Sequence, residues 1–395
     1  VANQTGTNIT VVFKPEATTG LAPGASGGTQ LRIAPSPGLE LKKASIVSNE
    51  RRGDSLKTIP RMGSRSVSGS YNCELSVATF DALLSAIQRA AWSAVLTSTQ
   101  ADVTSVTQTT SAIVAASGSW ITLGFKVGDV IRANITGGPA ANNNRNLRVT
   151  AVTATNLTVA ETLVVDATPR TTLTITRTKK LANGATAVRS SFTLEEWYQD
   201  ISKGEQYLGC RLTGMKVSCK PGQNVTAQFT FMGIDRVTET VQYFTSPTLT
   251  TSIGLIADDS TIRYNGADIA SFTGFDFDFA IAAKAEPVIG SLLSPDIFDN
   301  DLTVSGTITA IRQDLAALTS FDAETEFATQ VLLVENTTEP KSFIQFYFPR
   351  MKFSGAAKQL GADGAMIVTL PVVTGAAVAT ATSDAGVAVI QTSAA

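Results

Sequence analysis

At 395 residues the chain exceeds what one hydrophobic core usually supports, which points to two or three units of ordinary domain size. Hydrophobic residues make up 43% and charged residues 16%, enough apolar surface for packed cores and too little charge for a disordered polymer. The formal charge of −2 argues against a cationic nucleic-acid binder, and the complete absence of histidine removes the commonest general base and transition-metal ligand.

Thr, Ser and Val are prominent and strong helix formers rarely run together, so the expected fold is mainly β. No stretch reaches the roughly 18 to 20 apolar residues of a membrane helix, and residues 1–15 lack the blocks of a signal peptide. Cys73, Cys210 and Cys219 are too few and too irregular for a disulfide framework and read as reduced thiols.

In chain order, residues 1–37 are rich in Gly, Thr and Pro and read as an arm ahead of the first core, with one strand-like run at 10–13. A strand is expected at 39–47. The polar stretch 48–65 carries Arg51, Arg52, Lys57, Arg61 and Arg65 against Glu50 and Asp54, and reads as a long basic loop. Residues 67–77 alternate Val67, Tyr71, Cys73 and Leu75 with Ser68, Ser70, Asn72 and Glu74, the period of a half-buried strand. Residues 79–92 then place Phe80, Leu83, Leu84 and Ile87 on one helical face, with Thr79 available as N-cap.

From residue 97 to 180 short strands crowd together, at 120–123, 127–131, 147–152 and 157–159, and read as an inserted SH3-like or OB-like small β-barrel. Beyond it strands are expected at 192–198 and 209–218. A Pro-Gly turn leads to a hairpin strand whose apolar face holds Ala227, Phe229 and Phe231. Thr226, Gln228 and Thr230 alternate with them. In Phe275-Asp276-Phe277-Asp278-Phe279 the two carboxylates share the face opposite the rings.

The last third replays the first in weakened form. Val67-Ser68-Gly69-Ser70 returns as Val304-Ser305-Gly306-Thr307, Phe80-Asp81-Ala82 as Phe321-Asp322-Ala323, and Met215-Lys216-Val217-Ser218 as Met351-Lys352-Phe353-Ser354. A duplicated unit follows, with segments 1–96 and 181–240 forming the first copy, 97–180 the insertion, 241–375 the second copy and 376–395 a terminal arm. The second copy's loop holds Glu286, Asp296, Asp299 and Asp301, opposite in sign to the basic loop. Such a pairing of charge favours ordered contacts between units.

Several chemical motifs fail on inspection. Gly24-Ala25-Ser26-Gly27-Gly28 matches a nucleophile elbow, but no histidine exists to activate Ser26. Asp258, Asp259 and Asp268, or Asp299 and Asp301, lack the spacing of a calcium loop. Glu195 and Glu196 are strand neighbours, which point to opposite faces and cannot share a hydrolytic cleft. No catalytic residue, cofactor or metal ligand is expected.

The strand at 39–47, the basic loop, Val67-Ser68-Gly69-Ser70-Tyr71-Asn72-Cys73-Glu74-Leu75, Phe80-Asp81-Ala82-Leu83-Leu84, Tyr207-Leu208-Gly209 and the ending Phe229-Thr230-Phe231-Met232-Gly233 together resemble the tail-tube protein family of long-tailed bacteriophages. The resemblance implies two β-sandwich domains, each flanked by a short helix, whose sheets join those of neighbours into a barrel around a channel. Tubes of this kind stack six-domain rings, so a chain with two such domains implies a homotrimeric, pseudo-hexameric ring. Ser70, Asn72, Glu74, Thr226, Gln228, Thr230, Asp276 and Asp278 are then the expected lumen residues, and the two charged loops the expected contacts between subunits or rings. The implied partners are further copies of the chain, a tape measure protein, a tail terminator and distal tail proteins, with double-stranded DNA in passage. The implied location is the virion tail, assembled in the host cytoplasm. A surface adhesin or carbohydrate-binding β-sandwich is the alternative that the Thr-rich strands also suit.

Overall fold

The structure, a computed structural model, describes residues 3–394 apart from 52, 185, 270, 337 and 359–363, so Arg52 lies outside the described residues. It is mainly β. The first half contains β1 (Ile9–Pro15), β2 (Thr29–Leu31), β3 (Gly38–Ile46), β4 (Arg61–Glu74) and helix α1 (Asp81–Gln88). An inserted group follows: β5 (Leu96–Thr99), β6 (Val106–Gln108), β7 (Ala112–Ala115), helix α2 (Trp120–Leu123), β8 (Val130–Ile135), β9 (Leu147–Val152), β10 (Asn156–Val159), β11 (Asp166–Arg170) and β12 (Leu173–Arg177). The first half resumes with β13 (Lys180–Leu181), β14 (Phe192–Tyr198), β15 (Lys203–Cys219), β16 (Thr226–Gly233) and β17 (Asp235–Glu239). The second half comprises β18 (Ile256–Tyr264), β19 (Ala267–Asp268), β20 (Phe272–Ala285), β21 (Ile297–Ile311), helix α3 (Ala316–Asp322), β22 (Phe327–Val334), β23 (Phe343–Phe353), β24 (Ala357–Lys358), β25 (Ile367–Thr374) and β26 (Val389–Thr392).

Period-two alternation decides which face each long strand buries. In β4, β16 and β20 the apolar set Tyr71, Cys73, Ala227, Phe229, Phe231, Phe275, Phe277 and Phe279 is almost wholly buried. Each half is a sandwich. In the first, β15 is long enough to serve both layers: residues 203–210 pair with β14, 204–208 also with β17, and residues 211–218 with β16. Around it run β2–β1–β14–β15–β17 on one side and β3–β4–β16–β15 on the other. The second half repeats the plan with β19–β18–β22–β23–β26 and β20–β21–β25–β23.

The duplication extends to irregularities. The register slip between Phe192↔Cys210 and Leu194↔Tyr207 recurs between Phe327↔Met351 and Thr329↔Phe348, and the slip between Lys43 and Ser45 recurs between Ile281 and Ala283. Following these ladders places Ser68 on Ser305, in agreement with the Val-Ser-Gly repeat. The other two sequence matches are not equivalent positions. Cys210, not Met215, corresponds to Met351. Phe80 precedes α1, whereas Phe321 lies in the last turn of α3. Short matches between strands of similar alternation recur out of register, so only the ladder identifies equivalent residues.

The halves are united chiefly by one long cross-pairing, beside a short ladder of β13 with β26. The second part of β15 pairs with β20, from Gly214↔Ala280 to Cys219↔Phe275, so that β3–β4–β16–β15–β20–β21–β25 form one antiparallel sheet with β23 and its continuation β24 at the far edge. The apolar faces of both halves accordingly belong to one core. Helix α1 closes the first half by burying Leu83, Leu84 and Ile87, and Phe80 stacks on Phe229 at 5.2 Å. Helix α3 holds the matching place but buries none of its residues.

Three local expectations are corrected, and the insertion is described by its own ladders. The opening segment is part of the core, since Val11, Val12, Phe13 and Leu31 are buried and β1 pairs along its length with β14. Thr79 does not cap α1, because its hydroxyl is held by Ser76 at 2.7 Å and Thr250 at 2.6 Å. Residues 120–123 are a turn of helix rather than a strand: the Thr122 amide donates to the Ser119 hydroxyl, and Gly124 ends the turn at φ 97°. The inserted strands form a sheet in the order β11–β6–β7–β10–β9–β8–β12–β5 around a core of their own, and among the described residues no ladder joins β11 to β5 to close a barrel.

The insertion is fastened to the second half. On β22, Val331 and Leu333 face the main core while Leu332 and Val334 turn to the other side, where they meet Val130 and Phe343. Three buried glutamines complete this contact. Gln330 and Gln345 donate to the Gly128 carbonyl, and Gln391 bonds both the amide and the carbonyl of Val130. Lys180, 5% exposed, lies 2.6 Å from both Asp129 and Asp384 and ties the insertion to the C-terminal segment. Burial by itself pushes the Asp129 carboxyl above its ordinary range, and Lys180 opposes that shift.

Replacing Lys180 with Ala leaves Asp129 buried beside a second carboxylate, and a loss of about 3–5 kcal/mol in unfolding free energy is expected from urea titration. The thiols provide a second check. Burial raises the Cys73 pKa to about 12 and that of Cys219 to about 11, with Cys210 shifted in the same direction. Only the thiolate attacks disulfide reagents. Native protein at pH 8 is therefore expected to leave all three cysteines unlabelled by a thiol reagent over the time in which urea-unfolded protein reacts at every one.

Candidate assembly surface

The united sheet turns its second face away from the core, and the ladders assemble that face row by row. Ser70 lies opposite Thr230, which lies opposite Gly214. Asn72, Gln228, Lys216, Asp278 and Ser305 form the next row, and Glu74, Thr226, Ser218, Asp276 and Thr307 the one after it. All eight residues marked by alternation therefore share one continuous polar face that crosses the boundary between the halves. The Gln228 side-chain amide donates to Oδ1 of Asn72 at 2.9 Å, which holds two of them in place.

Sequence reasoning missed Lys216, Ser218, Ser305 and Thr307, which complete the rows. The alternation of each strand contained the signal, but their membership in the same face depends on the pairing of β15 with β20. Lys216 is exposed between Gln228 and Asp278 and is the cation of its row. Glu195 and Glu196 do point apart. Glu195 accepts from the Tyr243 and Phe244 amides, while Glu196 accepts from Tyr71, Tyr198 and the Leu39 amide.

The charged loops are not arranged as expected. Arg61 and Arg65 belong to β4, and Asp299 and Asp301 to β21, so all four are strand residues. Asp296 and Asp299 do not face the basic segment. Arg211 reaches Asp296 at 2.9 Å and Asp299 at 3.3 Å, and Arg189 and Arg89 lie 3.2 and 3.5 Å from Asp299. These carboxylates tie the halves together inside the chain, because the arginines come from the first half. Arg65 pairs with Asp235 at 3.2 Å, and Glu286 with Lys284 at 2.6 Å. Asp54 accepts from the Leu56 amide, while Arg51 and Lys57 are exposed. Both hairpin ends instead share exposed apolar side chains: Ile46, Leu56, Ile59 and Met62 on the β3–β4 hairpin, Val288, Ile289 and Leu292 on the β20–β21 hairpin. Ile59 is 91% exposed.

The two ends of the united sheet remain open. Among the described residues β3 pairs only with β4, and β24 only with β25. One position on β3 is closed from within, since the Leu39 amide donates to Glu196 at 3.0 Å and its carbonyl accepts from Tyr207 at 2.6 Å.

No curated protein matches this sequence. A family model described as phage tail tube protein matches residues 6–374. The chain therefore belongs to that family and is a structural component of the virion tail.

Proposed function

We propose that three copies of this chain close into a ring of six sandwich halves, that the rings stack into the tube of a long-tailed phage assembled in the host cytoplasm, and that the polar face lines the bore through which DNA leaves. The observation that carries this reading is the β15–β20 ladder. It joins two copies of one unit edge to edge and leaves, among the described residues, an unpaired edge at each end. Open edges of a flat sheet drive further pairing, and a closed ring satisfies all of them. Glu74, Asp276 and Asp278 then face the bore, with Lys216 as a single opposing charge in their rows. Carboxylates repel phosphate over a screening length of about 8–10 Å and keep passing DNA from adhering.

The inserted sheet lies outside the tube in this arrangement. It docks on the face of β22 that turns away from the core, on the far side of the sandwich from the polar face. The β3–β4 and β20–β21 hairpins supply the contacts between rings, through exposed Ile59, Leu56, Val288 and Ile289 rather than through a match of basic and acidic loops. Arg51, Lys57 and Arg61 assist as register charges, each worth about 0.2–1 kcal/mol when exposed. Tape measure, terminator and distal tail proteins are the partners at the bore and the two ends.

Negative-stain microscopy of the purified chain is expected to show rings with three-fold symmetry and hollow tubes; monodisperse single particles at every concentration would refute the proposal. Tubes of the double variant D276K/D278K should assemble at unchanged diameter and retain short double-stranded DNA at low salt, which unmodified tubes do not. Equal retention by both would place those residues outside the bore. Replacing Ile59 and Ile289 with Ser should leave rings intact and shorten or abolish tubes, and tubes of normal length would exclude the hairpins from stacking.

A further inference from the structure

The joint between the halves is a template for the joint between copies. In the chain, Lys216 of β15 lies opposite Asp278 of β20. The same ladders locate the counterparts of both. Asp278 pairs with Ser305 as Glu40 pairs with Ser68, and Ser305 is the equivalent of Ser68. Lys216 pairs with Gln228 as Ala357 pairs with Thr369, and these two partners occupy equivalent places on β16 and β25. Glu40 and Ala357 are thus the duplicates of a pair already in contact, yet they stand on the two open edges of the molecule. Both are exposed.

We infer that β3 of one copy adds antiparallel to β24 of the next, with Glu40 opposite Ala357, Leu41 opposite Ala356 and Lys42 opposite Gly355. The inference rests on the ring reading above and supplies its strand-level contact. Among the described residues no other strand pairs with these edges, and β3 has the same bulge after Lys43 that β20 has after Ile281, so the two strands present the same shape to a neighbour.

The copied joint is shorter than its template at one end. In the template the pairing continues to Phe277 and Phe275. Their counterparts on β3 are Leu39, whose backbone is already bonded to Glu196 and Tyr207, and Pro37, which has no amide hydrogen to donate. The hydrogen bonds between copies therefore begin at Leu41, with Glu40 and Ala357 as the terminal opposed pair. The joint within the chain is the longer one, which gives a stable folded subunit and a weaker contact reserved for assembly. Charge differs as well: Lys216 opposite Asp278 becomes Ala357 opposite Glu40, so the joint between copies lacks the opposed charges of the internal one.

Cysteine pairs test the register. Directly opposed residues in an antiparallel ladder bring Cα atoms to about 4.5–5.5 Å, within the range of a disulfide. The native cysteines are buried and stay silent. Under mild oxidation, assembled E40C/A357C protein is expected to give a reducible ladder on denaturing gels that ends at a covalently closed trimer. An equimolar mixture of the two single variants should stop at dimers. The displaced pair K42C/A357C should cross-link at least tenfold less. Equal or better cross-linking of the displaced pair overturns the register. Rings that form normally while E40C/A357C remains monomeric overturn the joint and leave the ring reading in place. Failure of the unmodified chain to form rings at all overturns both.

Discussion

Everything in this molecule follows from the need of backbone amides and carbonyls at a sheet edge to find partners. In each half the layer that bears the polar face ends in two edges, and an edge left to water is a site for uncontrolled pairing. Duplication removes two of the four edges by joining β15 to β20 inside one chain. What remains is a subunit with one open edge of each kind. In the proposed ring such a subunit adds to another of its own sort, and every edge is paired once the ring closes.

The same joint explains how a weakly charged chain builds an extended surface of uniform character. Each long strand carries its own alternation, but a continuous polar face requires that neighbouring strands agree in phase. The bulges repeated in both halves maintain that phase, and the Arg211 cluster with Asp296 and Asp299 braces the seam from the side. Buried ion pairs rarely add much net stability, so the value of this cluster lies in fixing how the halves meet. The Lys180 triad does the same for the insertion, together with glutamines that satisfy the backbone of Gly128 and Val130. The insertion is held by directional polar contacts around a small apolar patch, a rigid attachment rather than a flexible tether.

The two halves are not equal in finish. The first is sealed by α1 and by the aromatic stack of Phe80 on Phe229, whereas α3 rides on the surface of the second. Leu39 is bonded from within by Glu196 and Tyr207, while its counterpart Phe277 pairs with Val217. A duplicated unit has thus diverged where its copies meet different neighbours.

Period-two alternation in 67–77, 225–231 and 275–279 was enough to establish a mainly β chain and to name eight residues of the polar face, because the face a strand residue occupies is a local property of the pleat. The Val-Ser-Gly repeat likewise identified the duplication, being one of three short matches and the only one in register. Tertiary structure alone decided the rest. Which strands adjoin, that β1 belongs to the core, that Asp296 and Asp299 serve Arg211, and that Glu40 and Ala357 are duplicates of a contacting pair all depend on hydrogen bonds between residues far apart in the chain. A single strand's composition does not encode its partner, since the backbone groups that pair are the same in every residue.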